Sequence, residues 1–136
     1  MYIKGLLKLR KKMSDNEFIA RSGDSKKTPS LLQLLGELER ELRRLDLWQS
    51  TTPDAQALSS SAPFAIDTLT FVQWLQFIFI DKMGHLAEFS LPLPESMSVL
   101  PMANEYFKGL SVNAAKINDI IGRIDLLINT RVKKDE

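Results

Sequence analysis

Leucine recurs at positions 31, 35, 38, 42 and 45, alternately four and three residues apart, while Glu37, Glu39, Arg40, Glu41, Arg43 and Arg44 take the intervening positions. A helix turning once per ~3.6 residues brings such leucines onto one side, so the spacing predicts an amphipathic helix. Its start is expected at Thr28-Pro29, with Thr28 as cap and Pro29 in the first turn, where the missing N–H costs nothing. Its end is expected near Trp48. The stripe is too short for the sustained heptads of a coiled coil and is read as facing an intramolecular core.

Residues 49–66, with Pro53, Pro63 and many Ser, Thr and Ala, show little periodicity and read as a long connection. A second helix is expected from Asp67 or Thr68, either of which has the short oxygen-bearing side chain that suits a cap. Leu69, Val72, Phe79, Met83 and Leu86 mark one apolar stripe on it, and Phe71, Trp74, Leu75 and Ile78 another. A helix apolar around most of its circumference belongs in the centre of a fold. Phe89 to Pro101, interrupted by Pro92 and Pro94, reads as a wrapping loop. A short helix from Pro101 to Lys108 should stop at Gly109, and a last helix should run from Ser111 to Thr130 with Ile117, Ile120, Ile121, Ile124, Leu127 and Ile128 inward. No strand alternation stands out, so the expected fold is all-α, a compact bundle of three long helices and one short one.

Charge adds a boundary. Residues 1–28 hold eight Lys/Arg against three Asp/Glu, leaving ten against fourteen for residues 29–136, so a basic extension precedes a mildly acidic bundle domain. Residues 14–28 lack a sustained period and are expected to stay disordered. The longest uncharged apolar stretch, residues 69–80, falls well short of the ~20 residues a helix needs to cross a bilayer. With no secretory signal pattern and no cysteine, the expected location is the cytoplasm.

Candidate chemistry is sparse. His85 is the single histidine, with Asp81 four residues before it and Glu88 three after, an arrangement ordinary for a helix surface. The six glycines are scattered rather than gathered in a phosphate-cradling loop. No catalytic, cofactor-binding or metal-binding residue is therefore assigned, and an enzyme built on His85, Asp67 or Glu105 is the least favoured reading. The unusual cluster is Trp74 with Gln73, Gln76 and Phe77, since amides on an apolar helix either bond inside the protein or meet a partner. Together with Phe64, Asp67, Pro92 and Pro94, Trp74 and Gln76 form the candidate interaction surface of a non-enzymatic module with a protein partner. The net +5 extension offers the chain's one electrostatic handle for RNA; the acidic remainder argues against direct nucleic-acid binding.

Leu45 to Trp48, Pro63-Phe64, Asp67-Thr68, Trp74-Leu75-Gln76, Met83 and Pro92-Leu93-Pro94, taken in order, resemble the YqcC-like family of small bacterial proteins over residues 29–130. The N-terminal extension departs from that pattern. The resemblance implies a helical bundle without established catalytic residues, often encoded beside a tRNA pseudouridine synthase. An accessory part in tRNA pseudouridine modification, with that synthase as partner, is the alternative functional reading it implies.

Overall fold

A computed structural model describes residues 27–130. The expectation of disorder over residues 14–28 falls almost wholly outside that range. Helix α1 spans Thr28–Arg44 and the single turn α2 spans Ala55–Leu58. Helix α3 runs continuously through Phe71–Trp74, a π-helical segment Leu75–Phe79, and Ile80–Glu88. Helices α4, Leu100–Lys108, and α5, Ala115–Asn129, complete the fold, and no strand occurs among the described residues. The all-α bundle of three long helices and one short one is what the periodicity predicts, with α2 as an added turn.

Leu31, Leu35, Leu38 and Leu42 of α1 are buried against the second half of α3 and against α5, whose Ile117, Ile120, Ile121, Ile124 and Ile128 lie opposite. Helix α4 leans on α5 beside Gly122, where an added Cβ would come within 3.3 Å of a Leu100 methyl group. The missing side chain lets the two helices approach closely at some cost in helix propensity.

Several predicted ends move. Thr28 is the first residue of α1, and Lys27 takes the cap position, reaching across to donate from Nζ to the Ile128 carbonyl at 3.0 Å. α1 stops at Arg44 because Asp46 adopts φ 63°. The Leu47 and Asp46 N–H groups then turn back onto the carbonyls of Leu42 and Arg43, at 2.8 and 3.1 Å. The same closure ends α3, with Ser90 at φ 53° and Leu91 N–H on the Leu86 carbonyl at 2.8 Å. The start of α3 is set by Thr70 rather than Asp67 or Thr68. Thr70 Oγ1 accepts from Gln73 N–H at 3.1 Å while Gln73 Oε1 accepts from Thr70 N–H at 2.9 Å, a reciprocal cap that satisfies two donors.

Buried positions along α3 come in pairs every four residues: 71/72, 75/76, 79/80, 83/84 and 87/88. In an unbroken α-helix a four-residue repeat drifts about 40° per step, or about 160° from the first pair to the last. The wider π turn takes up one extra residue and returns about 100° of that drift, so both halves of the helix face the same core. Phe71, Val72, Leu75, Phe79 and Met83, drawn from both apolar stripes visible in the sequence, lie on this one buried face.

Candidate interaction surface

The connection from α1 to α3 is pinned at three places. Gln76, 5% exposed on the π segment, accepts from Gln49 N–H through Oε1 at 2.9 Å and donates through Nε2 to the Gln49 carbonyl at 2.7 Å. Asp54 caps α2 by accepting from Ala57 N–H at 2.8 Å. Ser60 Oγ donates to Asp67 Oδ1 at 2.5 Å, and Thr68 Oγ1 to the Ala57 carbonyl at 2.7 Å. Asp67 thus fastens the loop to itself instead of starting a helix.

Between these pins the backbone is strained. Phe64 and Ala65 are consecutive non-glycine residues at φ 57° and 49°, a conformation costing about 1–2 kcal/mol per residue. Ring packing offsets it. Phe64 meets Trp74 edge-on at 4.8 Å, Trp74 stacks on Phe71 at 5.8 Å, and Phe71 continues to Tyr106 and Phe107 of α4 at 5.6 and 6.1 Å. Each such pair contributes about 0.5–1.5 kcal/mol beyond its burial. The neighbouring residue Ile66 is 63% exposed. A groove of about 520 Å³ is lined by Trp48, Gln49, Pro53, Gln73 and the Ser50–Thr52 hydroxyl segment. Arg43 lies over the Trp48 ring at 4.7 Å, with its guanidinium also held by Glu39 at 2.9 Å.

Of the residues singled out from the sequence, the structure brings Phe64 and Trp74 into contact and sets Asp67, exposed, in the same loop. Gln76 takes the internal of the two roles open to it and supports this surface from beneath. Pro92 and Pro94 flank Leu93, a core residue, and line neither this groove nor the one at His85. Three polar residues that tie the bundle together escaped sequence reasoning, two of them buried. Asp125, 9% exposed on α5, accepts from Val99 N–H at 3.0 and 2.9 Å and from Leu100 N–H at 2.8 Å, which caps α4 from another helix. Asn129 clamps Met97 by two bonds of 2.8 Å. Glu41, also buried, is bonded by Arg44 at 2.6 Å, and that guanidinium holds its carboxyl below the usual range against the opposing effect of burial.

His85 lines a separate groove of about 400 Å³ with Leu58, Phe77, Ile78, Asp81 and Lys82. Burial pushes the Asp81 carboxyl upward and His85 pulls the other way. Asp67 is engaged by Ser60, Glu105 faces Lys108 at 3.7 Å, and neither lines the His85 groove. Among the described residues no group of three or more His, Asp or Glu could hold a metal ion, and no helix is long and apolar enough to cross a membrane.

These features define a small all-helical protein with a strained, aromatic-lined connection. Residues 30–127 match the family described as tRNA pseudouridine synthase C. The chain belongs to this family, and its YqcC-like members are its relatives. A Haemophilus influenzae protein described as uncharacterized is 38% identical over 76 residues, which are 56% of this chain and 72% of that one. YqcC of Escherichia coli K12 is 34% identical over 67 residues, 49% of this chain and 62% of that one. The solution NMR structure of E. coli YqcC superposes with a TM-score of 0.69 at 25% identity, covering 79% of this chain and 92% of the other. A Pectobacterium carotovorum protein named tRNA pseudouridine synthase C is 35% identical over 77 residues, 57% of this chain but 20% of that protein.

Proposed function

We infer that this protein is a non-catalytic interaction module that works beside a tRNA pseudouridine synthase. The observation that carries the reading is the Pectobacterium match: 20% of a chain named as that synthase is a relative of this domain, and about four fifths of it lies outside the match. A domain that makes up 20% of a synthase-named chain in one organism and most of a Haemophilus influenzae protein in another is a natural partner of that synthase, because covalent linkage only raises the effective concentration of a contact already useful. The non-catalytic half of the reading draws support from how several buried polar groups are used. Asp125, Gln76 and Glu41 are committed to capping, clamping and pairing, which are structural tasks. The reading places the protein in the cytoplasm, where tRNA is modified.

The test is pseudouridine formation in tRNA by the host's purified synthase, with and without the purified full chain. The chain alone should form no pseudouridine, and it should bind the synthase and alter its rate on tRNA. Turnover by the chain alone would overturn the non-catalytic assignment; absence of both binding and rate change would overturn the partnership.

A further inference from the structure

Residues 45–80 contain no lysine or arginine, while Asp46, Asp54 and Asp67 in that stretch are all exposed. The nearest preceding cations are already engaged, Arg43 by Glu39 at 2.9 Å and Arg44 by Glu41 at 2.6 Å. This same stretch carries the strained Phe64–Ala65 turn, the exposed Ile66 and the groove beside Trp48 and Gln73. The stretch therefore combines an exposed isoleucine, a largely polar groove lined in part by Trp48 and three exposed aspartates, next to the Phe64–Trp74–Phe71 aromatic stack. Core aromatics with a polar rim are the usual anatomy of a protein-binding patch.

We propose that the α1–α3 connection, centred on Ile66 and the Trp48–Gln73 groove, is the docking surface for a basic, apolar-flanked segment of the synthase. This rests on the partnership inferred above and adds where and by what chemistry it is made. Charge complementarity selects the occupant. A protein that binds tRNA must present lysines and arginines to phosphate, so its surface is electropositive near the nucleic acid. A surface with three exposed aspartates, whose bordering cation Arg43 lies over Trp48 and is paired with Glu39, carries a net negative charge that fits such a partner and disfavours tRNA itself. Strain at Phe64 and Ala65 holds Ile66 outward, where it is ready to be covered.

Titration calorimetry of the full chain with the host synthase, at low and physiological salt, tests this with two sets of variants. Ile66→Lys places a cation on the apolar centre. Asp46→Asn with Asp67→Asn removes two charges while keeping a residue tolerant of positive φ and an acceptor for Ser60. Asp119→Asn on α5 and Glu95→Gln before α4 serve as charge-matched controls, and circular dichroism checks that all variants melt as the wild type does. The expected result is a tenfold or greater weakening with Ile66→Lys, a smaller salt dependence with the double asparagine variant, and unchanged binding in the controls. Wild-type affinity in both surface variants, or equal weakening in the controls, overturns this surface while leaving the partnership standing. No binding by the wild type overturns both. Binding of tRNA alone through this surface, or a dimer abolished by Ile66→Lys, also overturns the assignment by giving the surface a different occupant.

Discussion

Replacing Asp125 by alanine should detach α4 from α5, although Asp125 belongs to neither a groove nor a surface. Its carboxylate is the acceptor for two N–H groups at the start of α4, those of Val99 and Leu100, across 2.8 to 3.0 Å. Loss of a helix cap costs about 0.5–2 kcal/mol, and a hydrogen bond to a charged group is worth about 1.5–3 kcal/mol. Val99 is buried, so water cannot readily replace the lost acceptor. With two donors served by one carboxylate, Asp125→Ala should cost about 3 kcal/mol, a large part of the ~5–15 kcal/mol typical of a whole domain. Asp125→Asn keeps the shape and one oxygen and should cost about 1 kcal/mol. Urea unfolding of the full chain, followed by helical circular dichroism, measures both. Asn129→Ala frees Met97, three residues from Leu100, so the pair Asp125→Ala and Asn129→Ala should lose less together than the two single losses added. A cost below about 1 kcal/mol for the alanine variant, or equal costs for alanine and asparagine, would refute the reasoning.

Ser90→Gly should stabilise the chain by about 1 kcal/mol, read as a rise in melting temperature, because glycine accepts the positive φ at no steric cost. Deleting Ile78 should convert the π segment to α-helix while keeping both buried faces in register, at a cost of about 1–2 kcal/mol for one partly buried side chain. Inserting an alanine after Lys82 should instead rotate Met83 and Ala87 by about 100° and abolish cooperative unfolding. Glu41 and Asp81, both with displaced pKa values, act in opposite directions. Glu41, held low by Arg44, contributes stability above the ordinary carboxylate range that is lost as pH falls through its lowered value, so Arg44→Met should flatten the acid limb of a stability profile. Asp81, raised by burial, contributes most in acid and loses that contribution as pH rises through its raised value, so Asp81→Asn should raise the melting temperature at pH 7 and not at pH 3.

The long helices were readable because burial of leucine and isoleucine at helical spacing outweighs everything else in placing them, and α1 and α5 obey it, whereas α4, which buries Ala103 and Phe107, was legible from Pro101 at its start and Gly109 at its end. Their ends were less readable. Asp46 and Ser90 close helices in a conformation for which glycine is the usual signal, and neither is glycine. Thr70 and Gln73 did carry a capping signature, but Asp67 and Thr68 lay upstream with equally suitable side chains. The choice among them was made by Phe64 and Ala65, whose turn spends residues 63–69 before a helix can begin.

The buried polar groups show where sequence reading stops and could have gone further. Asp125 follows Ile121 and Ile124 and precedes Ile128 on one stripe of α5; Glu41 adjoins Leu42 on α1; Gln76 occupies the second place of a buried pair on α3. A polar residue on an inward stripe is a request for a partner, and in a single helix nothing says which element answers. For Gln76 the answer is a backbone segment 27 residues away, reached because the π turn brings an additional residue to the inner face. The same turn that reconciles a four-residue repeat with helical geometry therefore also ties down the connection, and with it the aspartate-bearing surface proposed for a partner. Gln76→Ala should consequently leave the bundle folded while loosening that surface, seen as faster hydrogen exchange at Gln49 N–H with little change at the core amides of α5. Equal acceleration in α5 would mean that the clamp holds the whole bundle together and that the connection has no independent rigidity to lose.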